Sequence, residues 1–382
     1  MKKKTQEKIM KKFRLIFLWI IAALCLVGCG GEPEVTTETE STEAVVSESD
    51  AAAPTAEEKD FSGGSFAIYF FDVGQADSAL VLCDGESMLI DGGNAADGDD
   101  VTASLKSVGV TELDVVVATH SDEDHIGGLP DVMEAFPVQT LYADGNPADT
   151  KIYQRFCDTA AANSLTMTDP SPGDSFALGG STVTFLGPIT LDKDPNENSV
   201  ILRIDYGETS YLFTGDAMRG EENDLVESGA DLSADVLKVA HHGGAESTNY
   251  VFLREVMPTY AVISVGTGNK YGHPTDAVLS RLRDVGAAVY RTDELGMIVC
   301  RSDGVNIEFS NSAEKPLPAA EPNRADTQPS VDAENTYIGN LNSKKFHRPD
   351  CASLPDEKNS IYFATRDEAV SQGYEPCGRC HP

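Results

Sequence analysis

The sequence predicts a layered α/β protein. Short β-type runs alternate with helical patterns between residues 65 and 310, and two stretches without apolar periodicity bracket that block. At 382 residues the chain also exceeds what one core ordinarily fills, so more than one folded unit is expected. With 41% hydrophobic and 24% charged residues, global disorder is excluded. The 62 acidic residues outnumber 29 basic ones, for a formal net charge of −33. That balance argues against a passive binder of nucleic acid, yet admits an enzyme whose metal ions supply positive charge locally.

The N-terminus reads as a targeting segment. Six Lys and one Arg lie between Lys2 and Arg14, ahead of a 13-residue apolar run from Leu15 to Val27. That run suits a secretory signal and falls short of the roughly 20 residues needed to span a bilayer. Leu26-Val27-Gly28-Cys29 resembles a lipobox, so residues 1–28 are expected to be a lipoprotein signal peptide and Cys29 the lipidated residue. An uncleaved membrane anchor is the other reading; both place the remaining chain outside the cytoplasm, at the outer face of the membrane. Residues 29–64, rich in Glu, Ser, Thr and Ala, read as a disordered acidic tether. Residues 311–335 carry four prolines and read as a linker to a last module, 336–382.

Within 65–310 the runs SFAIYFFDV, ADSALVLCD, SMLIDGG, LDVVVATH, VQTLYAD, STVTFLG and SVILRIDYG read as strands. TSYLFTGD, DVLKVAHH, YAVISVG and GMIVCRS follow in the same style. Helical periodicity marks 100–108, 126–136, 153–163, 218–228 and 275–285; the last places Val278, Leu279 and Leu282 on one face and Arg281, Arg283 and Asp284 outside. Cys83, Cys157 and Cys300 sit in or beside apolar runs and are expected to be buried, inert thiols.

The chemistry collects at strand ends. The apolar strand DVVVAT delivers His120, Asp122, Glu123, Asp124 and His125 into one turn, and Ile126-Gly127-Gly128 then starts a helix. A tight turn aims such side chains at a common point, as two adjacent divalent metals require. With seven His in the whole chain, two in this turn are hard to read as incidental residues of a solvated loop.

This run resembles the His-x-His-x-Asp-His signature of the metallo-β-lactamase superfamily, with Asp122 in the place of the second His. Together with FFDVGQADS at 70–78, LIDGG at 89–93, NENSVILRIDYGETSYLFTGD at 196–216, DVLKVAHHGGAEST at 235–248 and NKYGHP at 269–274, it resembles the extracellular hydrolase domain of ComEC competence proteins. The resemblance spans nearly all of 65–310 and implies an αββα sandwich holding two divalent metals. His120 and Asp122 would serve one metal. Asp124, His125 and one His of the pair His241-His242 would serve the other, and Asp216 would bridge; the strand-end position favours His241. Asn198 stands in the region where many relatives have a further metal-binding His, leaving it a weak ligand or a substrate contact. That harder, oxygen-rich set makes Mn²⁺ a rival to Zn²⁺. Asp124 would also orient the attacking water, and His273 would contact a phosphate or protonate the leaving group, or else merely cap a turn before Pro274. Asp72 and Gln75 read as structural residues at the site floor, and Asp91 as a residue supporting a ligand.

In the last module, His347-x3-Cys351 and Cys377-x2-Cys380 present four ligands spaced as two knuckles, a structural zinc signature that so short a segment needs. His381 is a substitute ligand, and disulfides are the alternative for an exported chain. The module resembles the zinc-binding domain of the Ada repair protein, with His347 where that family has its methyl-accepting Cys, so methyl transfer is not expected. Together these readings imply an extracellular, lipid-anchored metallohydrolase acting on phosphodiesters, most readily DNA. The alternatives are hydrolysis of another ester, such as a small phosphodiester or choline phosphate, and a weakly active DNA-binding surface lipoprotein.

Overall fold

The structure is a computed structural model that describes residues 66–315, 317–318, 337–348, 351, 353–355, 357–363 and 366–380. The expected signal peptide, Cys29, the acidic tether, most of the linker and His381 lie outside the described residues. All described residues belong to one compact unit, Lys59–Pro382.

Two sheets face each other. The first joins β1 (Phe66–Phe70), β2 (Ala79–Cys83), β3 (Glu86–Ile90), β4 (Leu113–Ala118), β5 (Val138–Ala143) and β6 (Met167–Thr168). The second contains β7 (Ser175–Leu178), β8 (Ser181–Gly187), β9 (Ile201–Tyr206), β10 (Thr209–Phe213), β11 (Val236–Lys238), β12 (Tyr260–Ile263) and β13 (Ala288–Arg291). The chain then returns to the first sheet, where β14 (Ile298–Ser302) pairs antiparallel with β1 and β15 (Ile307–Asn311) forms the edge.

Alternation along β1 explains the layering. Phe66, Ile68 and Phe70 enter the core between the sheets with Val183, Phe185, Leu202, Ile204, Tyr211 and Phe213. Ala67, Tyr69 and Phe71 point the other way, into a second core capped by the helices Gly98–Ser107, Leu129–Ala135 and Lys151–Ala162. A third core seats the helices Arg219–Ser228, Tyr250–Val256 and Asp276–Asp284 on the outer face of the second sheet. This is the αββα sandwich.

Three differences from the sequence reading have physical causes. The helix expected over 126–136 is split into Glu123–Ile126 and Leu129–Ala135, because Gly127 and Gly128 lie against other backbone. The helix Tyr250–Val256 is short for a periodicity signal and is set by its cap, Asn249, whose Oδ1 accepts from Val251 and Phe252 N–H. Cys83 and Cys300 are buried, but Cys157 is only half-buried.

The last module is a four-stranded sheet in the order β18 (Ser360–Phe363), β16 (Tyr337–Asn340), β17 (Lys345–His347), β19 (Glu375–Pro376). Phe346, Phe363, Ala369 and Tyr374 form its buried core.

Candidate metal centre

The strands β3, β4, β10 and β11 all end at one rim of the sandwich, and each end supplies part of the site. After β3, Asp91 adopts a left-handed φ of 59° and turns its carboxylate inward. It accepts from Thr119 N–H at 2.8 Å and Thr119 O–H at 2.7 Å, and lies 2.8 Å from His125 Nδ1. That contact fixes the proton on Nδ1 and leaves Nε2 to face Asp216 Oδ1 at 3.3 Å. Asp91 thus holds the His125 ring in place.

After β11 the backbone is strained. His241 and His242 have φ of 52° and 51°, a left-handed conformation that non-glycine residues rarely adopt. The twist turns His242 inward: its Nδ1 donates to Ser264 C=O at 2.9 Å, and its Nε2 stands 3.3 Å from Asp124 Oδ2 and 3.6 Å from Asp216 Oδ2. His241 is partly exposed, with Nε2 3.9 Å from Asp216 Oδ2. The preference for His241 is therefore corrected: the inward residue of the pair is His242.

Ligand atoms of Asp124, His125, Asp216 and His242 all lie within 4.8 Å of one another. His120 stands beside them, its ring 4.1 Å from that of His125 and its Nε2 3.9 Å from Asp122 Oδ2. His120 Nε2, His125 Nε2 and Asp216 Oδ1 are buried without a hydrogen-bond partner. Buried polar atoms are seldom left so, and these line one side of the same cluster. The set fits divalent cations.

The titration behaviour follows from crowding. Burial works to raise the Asp216 carboxyl, but His125 and His242 beside it hold it well below its usual range. Burial lowers His242, yet Asp216, Asp124 and Asp77 push it up to about 10. His120, deeply buried and next to His125, falls to about 3. Protons on His125 and His242 thus balance carboxylates that a cation would otherwise neutralise, and cation binding would displace them.

The other predicted residues divide plainly. Asn198 is buried, but both of its polar atoms hold the backbone of Asp192, Oδ1 accepting N–H at 2.7 Å and Nδ2 donating to C=O at 2.9 Å. The Asn198 side chain thus supports the turn that begins at Asp192. Asp72 is exposed, its Oδ1 accepting from Gly74 N–H at 3.4 Å, and Gln75 Oε1 accepts from Gly266 N–H at 3.2 Å. His273 packs edge-on to His241 with centroids 5.5 Å apart, and its Nδ1 is buried without a partner.

Two contributors were missed. Asp77 Oδ1 lies 3.3 Å from His242 Nδ1, and Lys238 Nζ pairs with Asp77 Oδ2 at 2.6 Å. A lysine alone in the apolar run VLKV was the available signal, since buried lysines need a partner. In the last module the ligand atoms of His347, Cys351, Cys377 and Cys380 also lie within 4.8 Å of one another, and all described cysteines are free thiols. Cys351 and Cys377 sulfurs each accept a backbone N–H, from Ser353 and Arg379, at 3.4 Å; against the effect of burial, the Arg379 N–H and its neighbours hold the Cys377 thiol below its ordinary pKa.

Fold and site together define a metal-dependent hydrolase scaffold. Residues 71–267 match the family described as the metallo-beta-lactamase superfamily, and residues 325–382 match the metal binding domain of Ada. The chain belongs to the metallo-beta-lactamase superfamily, with an Ada-type zinc-binding domain behind it. It is 36% identical over 237 residues to Competence protein ComA of Neisseria gonorrhoeae, covering 61% of this chain and 32% of that one. It is 31% identical over 202 residues to ComE operon protein 3 of Bacillus subtilis (strain 168), covering 52% and 26%. The chain thus spans only about a quarter to a third of these relatives. Among solved structures it is similar to the metallo-beta-lactamase fold protein YhfI from Bacillus subtilis, with a TM-score of 0.44, 17% identity and coverage of 63% and 100%. No helix among the described residues is long and apolar enough to cross a membrane.

Proposed function

We propose that this chain is an extracellular, lipid-anchored hydrolase that uses two divalent metals, Zn²⁺ or Mn²⁺, to cleave phosphodiesters, with DNA as its substrate. The observation that carries the reading is the convergence of Asp124, His125, Asp216 and His242 beside the unpartnered Nε2 of His120. Asp124, His125 and His242 would hold one cation, His120 and Asp122 the other, and Asp216 both. When bound, such cations supply Lewis acidity, easing the deprotonation of water and drawing charge from the phosphoryl group.

The protein groups do the rest. Asp91 and the Ser264 carbonyl keep His125 and His242 in the tautomer with Nε2 free. Asp124 orients the attacking water as well as its cation. Burial and the nearby His241 keep His273 below its ordinary pKa. We assign its neutral ring to a hydrogen bond with a phosphoryl oxygen. A chain of net charge −33 does not attract a polyanion, so affinity for DNA rests on the cations and the Lys and Arg of the last module. Binding should therefore weaken steeply with salt.

The test is turnover by purified protein of single- and double-stranded DNA, a generic phosphodiester and a choline phosphate ester, each with Mn²⁺ or Zn²⁺. Metal-dependent cleavage of DNA supports the reading. Cleavage of the small esters alone replaces DNA as substrate, and inertness toward all of them with full metal content sinks it.

A further inference from the structure

The loop that carries His242 holds its shape against local preference. Besides His241 and His242, Thr248 has a φ of 54°. Such a residue is strained and persists only where its surroundings impose it.

Two helices impose it. From the helix Asp276–Asp284, Arg281 donates to the carbonyls of Ser247 at 2.7 Å, Thr248 at 3.2 Å and Ala245 at 3.1 Å. From the helix Arg219–Ser228, the buried Glu222 accepts the N–H groups of Thr248 and Asn249, the latter at 2.8 Å. Arg219 N–H reaches Glu246 C=O at 3.1 Å. Arg281 and Asp284, expected to face solvent, are both half-buried in these contacts.

The last module grips the same two helices. Its Arg366 pairs with Asp284, one turn beyond Arg281, and also bonds Tyr250 Oη, which itself donates to Asp284 at 2.6 Å. The Arg366 guanidinium stacks 5.1 Å from the Tyr250 ring centroid. Its Glu375 lies 3.4 Å from Arg219, at the start of the other helix. The seam is not close-packed: a cavity of about 340 Å³ opens there between Tyr250, Arg281, Lys345 and Glu375. Polar contacts from Arg366 and Glu375 thus flank this cavity.

One of those contacts lies close in sequence to the candidate zinc ligands. Glu375 stands two residues before Cys377, whose N–H bonds Phe346 C=O at 2.8 Å, and the four buried core residues are too few to fold the module unaided. We propose that the zinc module is a clamp in cis: through Arg366–Asp284 and Glu375–Arg219 it braces the helices that hold the His242 loop, so that its zinc rigidifies the hydrolase site.

Hydrogen exchange on the full chain tests this without any substrate, and so independently of the proposed activity. Arg366→Ala should speed exchange across 240–249 by roughly 5- to 150-fold, the span of ordinary coupling energies. Exchange in β1 and β2 should stay unchanged. Cys377→Ser, which releases the zinc, should have the same effect on 240–249. Retention of one tightly held zinc by Arg366→Ala shows that its module stays folded. Asp284→Asn, which weakens the same pair from the hydrolase side, should speed the same segment. Unchanged exchange of 240–249 in Arg366→Ala and in the zinc-free Cys377→Ser protein would overturn the proposal.

Discussion

Lys238 Nζ lies 2.6 Å from Asp77 Oδ2, both side chains buried, and Asp77 Oδ1 lies 3.3 Å from His242 Nδ1. This charge chain runs from the middle of the second sheet to the metal centre. Burial alone would raise the Asp77 carboxyl, but Lys238, and then His242, hold it well below its usual range. Lys238→Met would leave Asp77 buried with His242 as its remaining partner, a loss of about 1–3 kcal/mol. The double change Asp77→Asn with Lys238→Met should cost clearly less than Lys238→Met alone. Urea unfolding of Lys238→Met, Asp77→Asn and the double variant measures this, and strict additivity would show that the two residues do not couple.

His242→Ala and His241→Ala separate the neighbouring histidines. His242 faces Asp124 and Asp216, whereas His241 is partly exposed. Metal titration should show His242→Ala losing more affinity than the about 10–100-fold typical of outer supporting residues. His241→Ala should lose less. The reverse order would reinstate His241 as the ligand.

Gly128 is required by close approach and not by an unusual φ. A Cβ there would stand 2.2 Å from the Gly92 carbonyl oxygen, which is backbone and has no room to move. Gly128→Ala should therefore cost about 1–3 kcal/mol and weaken metal binding, because Asp91 and His125 flank the contact. Unaltered thermal stability would show that the two turns can separate freely.

Asp144, just beyond β5, is buried with Oδ2 unpartnered, and burial followed by Asp169 and Asp122 pushes its carboxyl from 3.8 up to about 7. The folded chain therefore binds this proton more tightly than the unfolded chain. Stability present in acid is lost as pH rises from about 4 to about 7, on the order of 1–3 kcal/mol. Asp144→Asn should flatten that slope and be the more stable protein above pH 7. A variant whose stability keeps the parent's slope would assign the effect elsewhere.

Much of the site was legible because its chemistry is local in sequence. His120, Asp122, Asp124 and His125 occupy one turn, and Asp216 and the histidine pair each end an apolar strand, so residue type and position sufficed. What decided between His241 and His242 was a pair of left-handed backbone angles, which residue type and periodicity do not reveal. The use that Asn198 makes of its side chain was not legible either: it bonds the backbone of Asp192 six residues back. Asp77 is 161 residues from Lys238, and no periodicity links them.

The central claim is that divalent metals in this cluster, beyond the zinc of the last module, make the chain a hydrolase. Stepwise reconstitution of metal-stripped protein, with bound metal and phosphodiester turnover followed together, tests it most directly. The account predicts one equivalent taken up without activity, then turnover rising with two further equivalents and abolished in both Asp124→Ala and Asp216→Ala. Full turnover at a single equivalent, or none at three, would contradict it.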